Sequence, residues 1–108
     1  MARTPIHPGK FLEEELDYLN LAPTELAKAL HVPANRIYQI INGKRSMTPD
    51  TALRLSQWLG TSAELWLNLQ KLYDLRLAEQ NVGEKIKQTI SPWEKTNSHS
   101  TVSENALV

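Results

Sequence analysis

Residues 24–43 (TELAKALHVPANRIYQIING) contain two short runs of helical periodicity with a tight turn between them. The apolar residues of the first run share one helical face: Leu26, Ala27 and Leu30. Those of the second run also share a face: Ile37, Ile40 and Ile41. Pro33 stands where a helix can begin without needing a backbone N–H. Two short amphipathic helices joined in this way are typical of a helix-turn-helix.

The second of these helices has a polar outward face: Asn35, Gln39 and Asn42, flanked by Arg36 and Tyr38. Asn and Gln each present a donor and an acceptor, which matches the N6 and N7 edge of adenine in the major groove of DNA. Gly43 is a predicted C-cap, and Lys44 and Arg45 follow where a protein lying in the groove meets phosphate oxygens. Any one of these residues alone is more often a solvated surface residue, but the combination favours DNA recognition.

Charge is segregated along the chain, although 12 basic residues balance 12 acidic ones. The acidic part comes first: Glu13, Glu14, Glu15, Asp17 and Glu25. The basic residues follow in a stretch whose only acid is Asp50: Lys28, Arg36, Lys44, Arg45 and Arg54. This basic stretch coincides with the predicted reading helix, as expected for a surface that contacts phosphates. The acidic helix is expected to face away from DNA or to face a basic partner.

The chain has 108 residues and 41% apolar content, which fit one small domain with a single core. No segment shows the sustained alternation of a strand, so we expect an all-α, compact five-helix fold. Besides the two motif helices, the pattern predicts helices over residues 8–19, 49–59 and 62–80. A capping box is predicted at Thr61 and Glu64. The residues predicted to be buried on the fourth helix are Leu53, Leu55, Trp58 and Leu59.

Two regions are expected along the chain. Residues 1–82 form the predicted DNA-binding and dimerisation domain, and residues 83–108 form a C-terminal extension in which a short helix can precede a disordered tail. The fifth helix is apolar around much of its circumference, so it is either buried on both sides or paired with a second copy. We favour a homodimer, because groove-reading proteins of this type usually need two half-sites. The predicted interface residues are Leu65, Trp66, Leu69, Leu72 and Tyr73.

The sequence gives little support to an enzyme, a metal site or a membrane protein. Cysteine is absent, and His7, His31 and His99 are too far apart to form a local metal motif. No nucleotide-binding, metalloprotease or serine-hydrolase motif is present. No apolar run approaches the roughly 20 residues needed to cross a bilayer. We therefore expect a cytoplasmic protein with no catalytic residue, metal, cofactor or small-molecule substrate.

Four segments together resemble the HigA-type antitoxins of bacterial toxin–antitoxin operons, also called VapI-like: HPGKFLEEEL, TELAKAL, VPANRIYQIINGKR and TPDTALRLSQWLGTSAELWLNLQKLYDL. The helix-turn-helix part is shared with phage repressors of the lambda-repressor-like fold, whereas GTSAELWLNLQ with YDL is characteristic of this one branch. The resemblance covers the chain from His7 to Leu77. It implies a homodimer that binds an inverted repeat of operator DNA, represses its own operon and neutralises a co-encoded, RelE-like, mRNA-cleaving toxin of the HigB type.

The resemblance also implies roles for individual residues. The implied base-reading residues are Ala34, Asn35, Arg36, Tyr38 and Gln39. The implied phosphate-binding residues are Thr24, Asn42, Lys44 and Arg45. His31 occupies a turn position usually held by glycine, which is tolerable because histidine is enriched at positive φ. A stand-alone repressor without a toxin is the alternative. A third interpretation is a protein-binding module that docks its acidic first helix or its flexible tail on a basic toxin, and these two can hold together.

Overall fold

The computed structural model describes residues 4–94, and within them the chain forms six α-helices and no strand. The helices are α1 (Pro8–Leu19), α2 (Pro23–Leu30), α3 (Ala34–Ile41), α4 (Pro49–Leu59), α5 (Ala63–Ala78) and α6 (Glu84–Thr89). A π-helical turn, Glu79–Gly83, joins α5 to α6. The all-α fold predicted from the sequence is confirmed, with five helices forming the folded body and α6 continuing the fifth.

Short polar side chains fix where α4 and α5 begin. Thr48 caps α4, since its hydroxyl accepts from a backbone N–H of the first turn. The cap of α5 is Ser62, whose hydroxyl accepts from the first turn at 3.0 Å. The predicted capping role of Thr61 is therefore wrong. Its hydroxyl instead accepts from the indole N–H of Trp66 at 2.8 Å, a contact that depends on how the two residues pack.

The turn between α2 and α3 depends on one residue in the left-handed conformation. His31 has φ 59, which ends α2 and reverses the chain. Pro33 then adopts an extended conformation, and α3 starts at the next residue. The structure thus places His31 in the positive-φ position at which the sequence had put it, and the two helices of the motif are joined by only three residues.

One continuous core lies between α1, α2, α3, α4 and α5. Its buried apolar residues are Leu12, Leu16, Leu26, Ala27, Leu30, Ile37, Ile40, Met47, Ala52, Leu55 and Trp66. Two residues predicted to be buried on α4 are not, because Leu53 is 61% exposed and Trp58 is 45% exposed. The side of α4 that meets the core is centred on Ala52, Leu55 and Leu59, which are spaced by three and four residues. Leu53 and Trp58 lie outside that stripe.

The first turn of α1 lies directly against the last turn of α3. A Cβ atom added at Gly9 would lie 1.8 Å from the carbonyl oxygen of Ile40 and 2.9 Å from the Cα of Ile41. Pro8, next to this contact, is fully buried. Only glycine lets two helix backbones approach so closely. The contact fixes the C-terminal end of α3 relative to α1.

The chain continues beyond the core as a single helical rod. Its backbone passes through Gly83 without a turn, and α6 lies in the segment where the sequence predicts that a short helix can form. The predicted disordered tail falls on residues 95–108, which lie outside the described residues. None of the described helices is long and apolar enough to cross a membrane.

Gly9→Ala should destabilise the fold strongly, because the added methyl group would collide with the backbone of Ile40. We expect a loss of about 3 kcal/mol in the free energy of unfolding, measured by urea denaturation with circular dichroism. Gly83→Ala is the matched control, because an added Cβ there meets only the Cβ of Glu79, at 3.8 Å. It should stabilise the helix by up to about 1 kcal/mol. Equal effects of the two substitutions would contradict the close approach.

Candidate nucleic-acid interface

Helix α3 is anchored by one face and exposed on the other. Ile37 and Ile40 are buried in the core, and Ala34 is partly buried against it. The outward face carries Asn35 and Tyr38, which are exposed, and Gln39, which is half-buried. A polar helical face held in this way can enter the major groove of DNA and present side chains to base edges.

Arg36, another predicted base reader, is bonded to α4. Its Nη1 donates to Asp50 Oδ2 at 2.7 Å, and Arg54 Nε donates to the same oxygen at 2.9 Å. The hydrogen bonds from Arg54 and Arg36 lower the pKa of Asp50. Arg54 Nη1 also donates to the carbonyl of Leu30 at the end of α2, at 2.8 Å. These side chains join α2, α3 and α4, and a base contact by Arg36 would have to use guanidinium nitrogens other than Nη1 or break the bond to Asp50.

The loop after α3 folds back on the helix in a Schellman motif. Gly43 has φ 74 and its N–H donates to the carbonyl of Ile40 at 3.0 Å. The N–H of Lys44 donates to the carbonyl of Gln39 at 2.8 Å. The glycine predicted to cap α3 thus adopts the left-handed conformation that the cap requires. The next side chain returns to the same place, since Arg45 Nε donates to Gln39 Oε1 at 2.9 Å.

His7, just before α1, and Gln70 of α5 contact the same loop. The backbone carbonyl of Arg45 accepts a hydrogen bond from the His7 ring. The N–H of Met47 donates to Gln70 Oε1 at 2.7 Å, and Gln70 Nε2 donates to Asp74 Oδ1 at 3.0 Å. The amide of Gln70 is therefore buried with both ends bonded. This contact was not predicted, because its only signal in the sequence is a polar residue inside the apolar run of α5.

His7 connects α1, the loop and α5. Its Nδ1 accepts from the N–H of Gly9 at 2.9 Å, so the proton donated to Arg45 is on Nε2. Its ring meets Tyr73 edge to face, with the ring centroids 4.9 Å apart. Burial lowers the pKa of His7 and outweighs the hydrogen bond to Arg45 and the charge of Asp74, which both raise it. Burial therefore favours the neutral form of His7.

The predicted phosphate-binding residues are all exposed: Thr24, Asn42, Lys44 and Arg45. Thr24 lies in the first turn of α2 and shares a shallow groove with Lys28. The structure joins one predicted base reader to one predicted phosphate contact, because Arg45 is bonded to Gln39. Across the described part of the chain, no group of three or more potential metal ligands could hold an ion.

The five residues predicted at a dimer interface differ in their exposure. Leu65 and Leu72 are 44% and 42% exposed. Trp66 is only 3% exposed, so its assignment to the interface is wrong: the core of the monomer already covers it. Leu69 packs partly against the core, and Tyr73 packs against the histidine that caps α1. Leu69 and Tyr73 line one surface groove together with Leu72, so the interface stays a prediction for every residue of that set except Trp66.

Comparison with known proteins identifies the family. The family described as Helix-turn-helix matches residues 12–66. Virulence-associated protein I of Dichelobacter nodosus is 51% identical over 77 residues, which cover 70% of this chain and 71% of the relative. The chain belongs to the helix-turn-helix family of HigA and VapI proteins. This result confirms the resemblance seen in the sequence.

Two solved structures of HigA proteins have the same fold. An addiction module antidote protein of the HigA family from Coxiella burnetii is 48% identical, with a TM-score of 0.82 over 84% of this chain and 100% of that one. The Pseudomonas aeruginosa antitoxin HigA, solved with the higBA promoter, is 39% identical, with a TM-score of 0.80 over 82% and 98% of the two chains. This family comprises DNA-binding regulators and antitoxins rather than enzymes, which confirms that the chain is not an enzyme.

The stability of the fold should decrease as the pH falls below about 6.5, the ordinary pKa of histidine. Because the pKa of His7 is lowered in the folded protein, the unfolded chain takes up the proton first, and the loss continues down to the folded pKa. A proton on Nδ1 would also remove the acceptor of the Gly9 N–H. Thermal melts across this range would measure the effect.

His7→Asn is the control for this pH dependence. Asparagine retains a side-chain oxygen that can cap α1 but does not titrate. The difference in melting temperature between wild type and His7→Asn should therefore shrink as the pH falls. Parallel curves for the two proteins would show that His7 is not the group responsible.

Proposed function

We propose that this chain is a sequence-specific DNA-binding antitoxin that represses its own operon and neutralises a RelE-like, mRNA-cleaving toxin of the HigB type. The observation that carries the DNA-binding part is the exposed polar face of α3, whose other face is held by Ile37, Ile40 and the backbone contact at Gly9. The Pseudomonas aeruginosa HigA structure contains promoter DNA, which supports an operator as the ligand.

We propose that the protein acts as a homodimer through the exposed side of α5 and its continuation. Three apolar residues of α5 recur there at intervals of seven and three positions, and each is more than 40% exposed: Leu65, Leu72 and Leu75. Val82 in the π-helical turn and Ile86 in α6 are exposed to a similar extent. Exposed leucines that share one helical face, here the apolar stripe of α5, mark an interaction surface. Pairing of two copies would place two α3 helices in successive major grooves of an inverted repeat, about 34 Å apart.

The toxin is proposed from family membership and from charge. The outer side of α1 exposes Glu14 and Asp17 together with Tyr18, which is 84% exposed. This surface is complementary to a small basic protein. Co-expression with a basic RelE-like protein encoded beside this chain should restore growth to cells that the toxin alone arrests. Specific promoter binding without such a rescue would favour the stand-alone repressor.

Gln39→Ala should weaken binding to the protein's own promoter by about 1–3 kcal/mol while hardly changing binding to scrambled DNA, because it removes a base contact. Lys44→Ala is the contrasting variant. It should weaken binding to all sequences alike and make binding less dependent on salt, because it removes a phosphate contact. Titrations against labelled duplexes at several salt concentrations would measure both. Equal losses on promoter and scrambled DNA for Gln39→Ala would count against base reading.

Leu72→Glu should separate the proposed dimer, because it places a charge in the apolar stripe of α5. Light scattering should report the monomer mass, and promoter binding should weaken at least about tenfold, since the half-sites would no longer be read together. Leu53→Glu is the matched control, because Leu53 is an exposed leucine on α4, away from the stripe. It should leave mass and promoter binding unchanged. A stable monomeric wild type would rule out this interface.

A further inference from the structure

Gln39 and Arg45 form a bonded pair on the surface that is proposed to face DNA. Arg45 Nε lies 2.9 Å from Gln39 Oε1. An arginine nitrogen can only donate a hydrogen bond, so the carboxamide atom that faces it must be the oxygen. The contact therefore orients the amide, with Oε1 directed at Arg45 and Nε2 left available as a donor.

The backbone brings the two residues together in one arrangement. The N–H of Lys44 donates to the carbonyl of Gln39, which folds the loop onto the end of α3. The carbonyl of Arg45 accepts from His7, and two residues later the loop is anchored on α5 by a buried hydrogen bond. Arg45 is thus held on both sides along the chain. Its side chain meets Gln39 before any DNA is present.

We propose that Arg45 sets the base preference of Gln39, so that the pair reads guanine rather than adenine. This inference rests on the proposed function, in which α3 enters the major groove. With Oε1 bonded, the pair offers the amide hydrogens of Gln39 and the terminal guanidinium hydrogens of Arg45, all of which are donors. Guanine presents two acceptors in the major groove, O6 and N7, whereas adenine presents the acceptor N7 beside the donor N6.

The charge of Arg45 reinforces this preference. The second lone pair of Gln39 Oε1 lies beside a guanidinium, whose positive charge disfavours the approach of the N6–H of adenine. An isolated glutamine has no such neighbour and can pair with adenine through both ends of its amide. Arg45 is therefore a positioning residue for Gln39, in addition to any contact that it makes with DNA itself.

Selection of binding sites from a random duplex library tests this inference with the full chain. Wild type should enrich guanine at one position of each half-site, and adenine there should weaken binding by about 5- to 150-fold. Gln39→Ala identifies the position, because the preference should disappear there. In Arg45→Ala the amide of Gln39 is no longer bonded to Arg45, so the variant should bind sites with adenine at that position at least as tightly as sites with guanine. Lys44→Ala is the control, because it removes a charge from the same loop and should leave every base preference unchanged.

Several results would overturn the inference. Arg45→Ala could weaken binding to all sequences alike without changing the base preference, which would show that Arg45 only contacts phosphate. Wild type could select adenine at the position that depends on Gln39. A wild type that enriches no sequence would instead overturn the proposed function itself. Circular dichroism and thermal melts would check that each variant folds, which the surface position of the Gln39–Arg45 contact leads us to expect.

Discussion

The contact between the backbones of α1 and α3 determines where the outward face of α3 lies. Burial of Ile37 and Ile40 decides which side of α3 turns inward, but side-chain burial alone leaves a short helix some freedom to slide along its groove. The missing side chain of Gly9 lets the carbonyl of Ile40 occupy the space that a Cβ would fill. Two backbones in such close contact allow one register only. The contact therefore also fixes where the exposed polar face of α3 lies.

The contact between α1 and α3 also places His7 beside the loop that follows α3, because His7 precedes Gly9 by two residues. A neutral imidazole has one acceptor and one donor nitrogen, and both are used: one accepts from Gly9 and the other donates to the carbonyl of Arg45. Gln70 is used in the same way, since its oxygen accepts from Met47 and its nitrogen donates within α5. Buried polar groups that are fully bonded favour a single arrangement of the segments they join. The loop is therefore shaped by α1 and α5 as well as by its own sequence.

The helices and the motif could be predicted from local signals, whereas the contacts that position the site could not. The apolar spacing within α3 and the glycine after it depend on nearby residues, and both gave the correct local structure. Trp58 was predicted to be buried and Trp66 to lie at an interface, whereas the packed helices bury Trp66 and leave Trp58 45% exposed. Gln70 and Arg45 find their partners across the loop that follows α3, at sequence separations that periodicity does not report.

Helix α5 links the two parts of the proposed mechanism because its sides face different neighbours. One side carries Gln70 and Tyr73 towards the loop and His7, and another exposes Leu72 and Leu75. In the proposed dimer, the exposed side would set the separation of the two α3 helices, while the inner side holds the loop that orients Gln39. Both sides belong to one continuous helix. A shift of α5 at the dimer interface would therefore reach the reading side chains through the loop contacts, so that half-site spacing and base preference would not be independent properties of this fold.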